Sequence, residues 1–462
     1  MIACPCMKKP MLTFCVFALV LAAGLGLPVQ SQAEDWPRFL GPRGDGISQE
    51  TGLIDTLPLV GPPLLWSKAV GTGYSAPSVL DNRLVLHHRL ENREIVESFD
   101  AVTGKSEWQY ASPTSYVDPY GYNNGPRCTP LLTAELCFTL GAEGRLTCLE
   151  RKTGKLVWER DTAKDWQVPP AFFGVGSTPI LEGDRLLVMV GGQPNAGMVA
   201  FDAKTGKTLW ESVGQKNWEG LTKIGWPGEP VIQWQTWEKQ ASYASPVAAT
   251  IHGHRHVLCL TRQGLVSVNP TNGQVNFSFW FRSRANDSVN AMNPVVQGDL
   301  ILISGAYYRV GSVLLRVRPD GRGVDEVWRG TALEIHWMTP ILHDGSLYAF
   351  SGRNEPDARI RCVDMKSGKL KWDRDESWPP HSAEQPPVYG RGSFVMADGK
   401  LFALGEGGLL GIFRVNPDKL EELGRYQVPD LKYPCWAAPV LSNQRLYLRN
   451  EHRLVAYDVR KR

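Results

Sequence analysis

The stretch FDAKTGKTLW, residues 201–210, contains Gly-Lys-Thr, the tail of a phosphate-binding loop. Such a loop needs a glycine five residues before the Gly-Lys pair, so that bare backbone can wrap the phosphates. That position is Phe201. The phrase recurs as FDAVTGKSEW (99–108), LERKTGKLVW (149–158) and VDMKSGKLKW (363–372). One chain has little use for four nucleotide loops of one design, so the recurrence reads as architecture. Gly206 permits the positive φ of a tight hairpin turn, and Asp202 can hydrogen-bond the turn backbone. Trp210 is expected to bury area between repeats, and Lys207 to be solvated.

Working outward, each phrase closes a unit that opens with a small or polar residue before proline. The openings are SAPSVL (75–80), CTPLLT (128–133), STPILE (177–182), ASPVAA (244–249), MNPVVQ (292–297), MTPILH (338–343) and AAPVLS (437–442), with a weaker GSFVMA (392–397). A turn, a second strand such as GDRLLVMV, and a third strand lead to the Asp-x-x-Thr-Gly-Lys turn. A fourth strand then ends on an aromatic residue, at Trp108, Trp158, Trp210, Phe277, Trp328, Trp372 and Tyr426. Period-two alternation with Asp-Gly or Asn-Gly turns, repeated about every 45–50 residues, marks propeller blades. The predicted fold is all-β, an eight-bladed propeller of four-stranded antiparallel blades. The eighth unit runs out at Tyr457 before any fourth strand; PPLLWSKAV (62–70), with its unassigned Trp66, is predicted to supply it and close the ring.

Composition agrees with a globular chain. Of 462 residues, 43% are hydrophobic and 21% charged, and the formal charge of +3 is scattered, so nucleic acid is not indicated. Lys8 and Lys9, the apolar Met11 to Leu27 and the small residues Ser31-Gln32-Ala33 form a signal peptide. A retained membrane anchor is the alternative, although this apolar run is shorter than the roughly 20 residues a spanning helix prefers. The expected organisation is residues 1–33 as signal peptide, 34–61 as a lead-in segment and 62–462 as the propeller, exported to the periplasm or beyond. No stable membrane span is expected after cleavage, and the chain is expected to be a monomer. Three cysteines (Cys4, Cys6, Cys15) leave with the signal; the other six show no CxxC spacing. If the hairpin LCFTLGAEGRLTC turns at Ala142-Glu143, Cys137 and Cys148 sit opposite each other, either as a disulfide or as two small core residues.

The units resemble those of the pyrroloquinoline-quinone-repeat, or quinoprotein-like, β-propellers, whose repeat carries the same Asp-x-x-Thr-Gly-Lys-x-x-Trp phrase. The resemblance spans the mature chain and is best kept in blades one to three and six. In blades four, five and seven it has drifted to NPTNGQVNF, RPDGRGVDEVW and NPDKLEELGRY. The segment DWPRFLGPRGDGIS resembles the lead-in of secreted bacterial members, especially from planctomycetes.

Function is expected in the connections from outermost to innermost strands, which lie on one face and repeat least, such as SPTSYVDPYGYNNGPR (112–127) and DRDESWPPHSAEQPPVYGR (373–391). Their last residues, Tyr74, Arg127, Tyr243, Asn290, Trp337, Arg391 and Trp436, are predicted to enter the channel mouth. They would either bind a planar, sugar-like or anionic ligand or plug the channel. The resemblance also implies a second possibility. Quinone-dependent dehydrogenases of this fold hold calcium between quinone, carboxylate, amide and catalytic aspartate, and their main subfamily carries an adjacent cysteine pair. No Cys-Cys occurs here, and Asp118, Asp287 and Glu384 are only trial ligands, otherwise solvated loop residues. His252-Gly-His254-Arg-His256 is either a metal-like cluster or a polar turn on the opposite face. Two readings follow. The first is a non-catalytic exported propeller that binds a protein or envelope polymer by its loop face and needs no cofactor, the second a PQQ- and calcium-dependent dehydrogenase of alcohols, polyols or sugars.

Overall fold

The computed structural model describes residues 1–2, 33–169, 171–192, 194–218, 223–224, 232–233, 242–283, 288–378 and 387–462. The chain divides into Met1–Ser31 and Gln32–Arg462, and the second unit is the propeller. The stretch predicted to be a signal peptide therefore lies almost wholly outside the described residues, as do Asp287 and Glu384. No helix among the described residues is long and apolar enough to cross a membrane.

Eight four-stranded antiparallel sheets follow one another along the chain. Blade one is Ser78–Leu80, Arg83–Leu90, Arg93–Asp100 and Ser106–Pro113, innermost strand first. The ring closes as the sequence predicts. Leu64–Ala69 pairs with Arg453–Asp458, Trp66 opposite Ala456, and becomes the outer strand of blade eight. Tight turns at Asp81-Asn82 (φ +53° and +57°) and Asp398-Gly399 (φ +50° and +69°) have both central residues left-handed, the geometry that matches strand twist. The expected period-two alternation is weak in the second and third strands, where Leu300–Gly305 is buried at every position. Each blade is sandwiched between two others, so both faces of those strands are covered.

The Thr-Gly-Lys turn has the structural role read from sequence. Asp202 Oδ1 accepts from the backbone N–H of Thr205 at 2.8 Å and from its hydroxyl at 2.7 Å, while Lys207 is exposed. Gly206 has φ +69°, and a Cβ there would stand 2.7 Å from the Trp158 ring of the preceding blade. The pattern recurs between blades: Gly104 lies under Trp66, Gly154 under Trp108, Gly273 under Trp210 and Gly368 under Trp328. Every one of these indoles also donates across the gap, Trp158 to Ala203 O at 2.9 Å and Trp210 to Pro270 O at 3.1 Å. The repeat therefore encodes a contact with the neighbour: the glycine receives a ring and the tryptophan supplies one.

In blades one to six the residue before the proline forms a second blade-to-blade contact, near the axis. Ala76 N–H donates to Thr129 Oγ1, Thr129 N–H to Thr178 Oγ1, and Thr178 N–H to Ser245 Oγ. Ser245 N–H donates to Asn293 Oδ1 and Asn293 N–H to Thr339 Oγ1, so one chain of bonds runs from blade one to blade six.

Cys137 and Cys148 follow the second of the two readings, small core residues, but not the expected register. Cys137 pairs with Leu149 and Phe138 with Cys148, one residue out of the expected register. The turn spans Gly141 to Arg145 with Glu143 at its centre. A one-residue slip sends two side chains to opposite faces. Both thiols are free and buried, in different core clusters.

Candidate functional site

Six of the seven residues predicted at the channel mouth, Tyr74, Arg127, Tyr243, Trp337, Arg391 and Trp436, line one cavity of about 1120 Å³. Each precedes the innermost strand of its blade, so the rigid ring sets its position. Asn290 does not line it: its amide donates to Thr261 O at 2.9 Å and Phe281 O at 3.2 Å. A short polar side chain there serves the backbone of the preceding blade, and its neighbours Val289 and Ala291 face the cavity instead.

The cavity has a floor that the sequence did not suggest. Phe39 and Leu40 of the lead-in segment line it together with Tyr74 and Trp436. The lead-in is fastened to the far ends of the innermost strands: Trp36 bridges Val79 in blade one, Pro37 O accepts from Leu132 N–H in blade two, and Ile47 bridges Met396 in blade seven. Trp36 is only 2% exposed. Mouth residues precede these strands and floor residues meet their ends, so the channel is a blind cup.

Its walls are largely aromatic. Trp436 lies 5.0 Å from Tyr74, 5.3 Å from Trp337, 5.8 Å from Tyr433 and 5.9 Å from Tyr122, ring centre to ring centre, and Phe173 continues from Tyr122 to Tyr243. Interplanar angles of 43° and 51° to Trp337 and Tyr74 make these rings the facets of a bowl rather than a stack. Sequence reasoning missed Tyr122, Phe173 and Tyr433, because nothing in a non-repeating loop announces which ring will turn inward.

The two arginines are each engaged by the protein. Arg127 Nη2 meets Asp118 Oδ2 at 2.7 Å, and the guanidinium lies over Tyr116 and Tyr74. Asp118, expected to be solvated, is 3% exposed for that reason. Arg391 donates to both oxygens of Glu406, at 3.1, 3.0 and 2.7 Å, and to Glu355 Oε1 at 2.6 Å, with its guanidinium carbon 4.6 Å from the centre of the Trp337 ring. Burial works against the Arg391 charge, but Glu406 and Glu355 more than offset it and hold its pKa above the ordinary value. His336, between Tyr307 and Trp337, is pulled down to about 3 by burial and then by the Arg391 and Arg353 cations, so its ring is neutral.

On the opposite face, His252 and Gly253 form the turn between Val247–Ile251 and His254–Leu260. The three imidazoles have separate polar surroundings: His252 Nε2 meets Val317 O at 3.1 Å, His256 Nδ1 meets Ser267 Oγ at 2.8 Å, and His254 packs beside Gly321 with its ring centre 6.5 Å from that of His256. Among the described residues, no group of three or more His, Cys, Asp or Glu is placed to hold a metal ion.

This arrangement, an eight-bladed ring with Trp-on-Gly docking, defines a quinoprotein-like propeller. Residues 121–374 match the PQQ_2 family, described as outer membrane protein assembly factor BamB, and the chain belongs to that family. Among solved structures it is similar to BamB from Moraxella catarrhalis, with 12% identity over 86% of this chain and 97% of that one, at TM-score 0.53. It is also similar to quinohemoprotein alcohol dehydrogenase from Comamonas testosteroni, with 14% identity over 93% of this chain and 81% of that one, at TM-score 0.61. At these identities the likeness is one of fold. The dehydrogenase subunit of alcohol dehydrogenase (quinone) from Komagataeibacter europaeus is 29% identical over 146 residues, which is 29% of this chain. The chain spans only 18% of the length of that relative.

Proposed function

We propose that this protein is an exported, non-catalytic binding propeller, which engages a partner protein or an envelope polymer through its long-loop face. The observation that carries this reading is that the carboxylates at the cup are committed to guanidinium groups, while His336, which also lines it, is held neutral by burial and two neighbouring cations. Asp118 is held by Arg127, and Glu406 and Glu355 by Arg391, leaving aromatic faces as the larger free surface. A general acid or base needs a side chain free to exchange its proton with a substrate, and these pairs resist that use. The family's description as an outer-membrane assembly factor supports a binding role in the envelope.

The quinone-dependent alternative is favoured by one observation, the match to alcohol dehydrogenase (quinone) over 146 residues. The described residues do not fit that cofactor with its calcium. Calcium takes six to eight oxygens, and the cup's carboxylates each face a guanidinium instead. The six described cysteines are single and buried, with no adjacent pair.

The test is incubation of the purified protein with pyrroloquinoline quinone and calcium, followed by gel filtration and dye-reduction assays with alcohols, polyols and sugars. The expected outcome is no quinone absorbance travelling with the protein and no dye reduction. Substrate-dependent reduction would overturn the non-catalytic reading.

A further inference from the structure

The chemistry of the cup narrows what it can take. An acidic ligand would need guanidinium groups to grip it, and the forks of Arg127 and Arg391 already hold Asp118 and Glu406. Arg353 has its guanidinium carbon 4.3 Å from the centre of the Tyr307 ring, and Lys432 is exposed. A purely apolar ligand would leave buried polar atoms unmatched, at a cost for each. Trp337 Nε1 is such an atom, buried and without an acceptor, on a ring that lines the cavity.

What remains is a surface of aromatic faces beside donor–acceptor pairs. Carbon-bound hydrogens on the flat face of a sugar ring pack on aromatic rings, and a hydroxyl both donates and accepts. Adjacent hydroxyls therefore match a guanidinium set beside a carboxylate, where neither needs to be displaced. At about 1120 Å³ the cup exceeds the usual range for one drug-sized ligand, roughly 300–1,000 Å³. Phe39 and Leu40 line the cavity on the side where the lead-in crosses, so a chain that enters by the mouth meets their side chains at the far end.

From these features we infer that the cup binds the end of a neutral, polyhydroxylated chain, a glycan terminus, with Trp337 and Trp436 as its platforms. This rests on the loop face being a binding surface, and it names the ligand class of that surface. The end enters; the middle of the chain does not.

Intrinsic tryptophan fluorescence and calorimetry of the full mature protein test this, using malto-, cello-, xylo- and chito-oligosaccharides of two to six units. Oligogalacturonates and citrate serve as anionic comparisons. Saturable binding of at least one neutral series is expected, with a stoichiometry on long chains of one protein per accessible end, whatever the length. Trp337→Phe keeps a ring but removes the indole donor, and should weaken that binding about 10-fold, the worth of roughly one hydrogen bond to a buried partner, with an unchanged melting temperature. Trp436→Ala should weaken it further. Absence of binding to every neutral series, tighter binding of the anions, or a stoichiometry that grows with chain length would each overturn the inference. None of these outcomes would produce dye reduction, so the non-catalytic reading stands or falls separately.

Discussion

Glu406, fully buried, is gripped through both carboxylate oxygens by Arg391, which also donates to Glu355, to the carbonyl of Arg353 and to His336 Nδ1. The Trp436 indole donates to the same carboxylate at 3.1 Å, so the mouth of the cup is built on this ion pair. Removing one partner of a buried pair strands the other. Arg391→Ala should therefore destabilise the fold by about 3–5 kcal/mol, read from urea denaturation. Arg391→Lys, which cannot make the paired contact, should recover only part. A loss below about 1 kcal/mol would mean that water readily takes the place of the guanidinium.

Trp210→Ala removes both an inter-blade ring and its hydrogen bond to Pro270. The ring is partly exposed, so the loss should fall near the lower end of the range for large aromatics, about 3 kcal/mol. Gly206→Ala adds only a methyl group, yet it meets a positive φ and the Trp158 ring; roughly 2 kcal/mol is expected. Lys207→Ala, one residue on and exposed, should stay within about 0.5 kcal/mol. Thermal melts of the three variants check the order, which would reverse if the phrase were a ligand loop.

The axial hydrogen bonds give a smaller, local expectation. Ser245→Ala leaves the Thr178 N–H without its acceptor and should cost about 1 kcal/mol. Ser245→Thr, which keeps the hydroxyl, should cost less. Equal losses would show that packing, not the bond, matters there.

Acidification should weaken the protein before its carboxylates titrate. His336 is held near 3 when folded, against an ordinary value of 6.5, and His88 and His256 are also lowered, chiefly by burial. The unfolded chain then binds more protons, so stability falls as pH drops below about 6.5, by up to ~1.4 kcal/mol per pH unit for each histidine. His336→Gln should flatten the slope between pH 6.5 and pH 5 by one proton's share. An unaltered slope would mean that the ring is not the neutral group described.

What could be read in the sequence was what repeats. The Asp-x-x-Thr-Gly-Lys turn, the pre-proline openings and the orphan Trp66 each reflect local chemistry copied from blade to blade, and they gave the architecture and its closing strand. Six mouth positions followed from topology alone. Asn290 failed because rank in a repeat places a backbone, while the side chain chooses its own partners. Asp118 was misjudged as solvated because the Arg127 that buries it could not be seen turning toward it. Phe39 and Leu40 were invisible as a floor, since no periodicity ties the lead-in to the axis it crosses.

Deleting residues 34–70 should expose a sheet edge in blade eight and open the bottom of the cup together. Light scattering on heating should show aggregation well below the intact protein's transition. A soluble truncation of equal stability would show that the ring can close another way.

The pairing of Leu64–Ala69 with Arg453–Asp458 also sets an order of events during synthesis. Blades one to seven can form as each emerges, from contacts close in sequence, which is the fast part of folding. Their two open sides stay unprotected until the last six-residue strand is made and finds a partner translated almost at the start. Until then the nearly complete ring is the species most open to pairing with another chain, so the time spent in that state, rather than any single blade, should govern the yield of native protein.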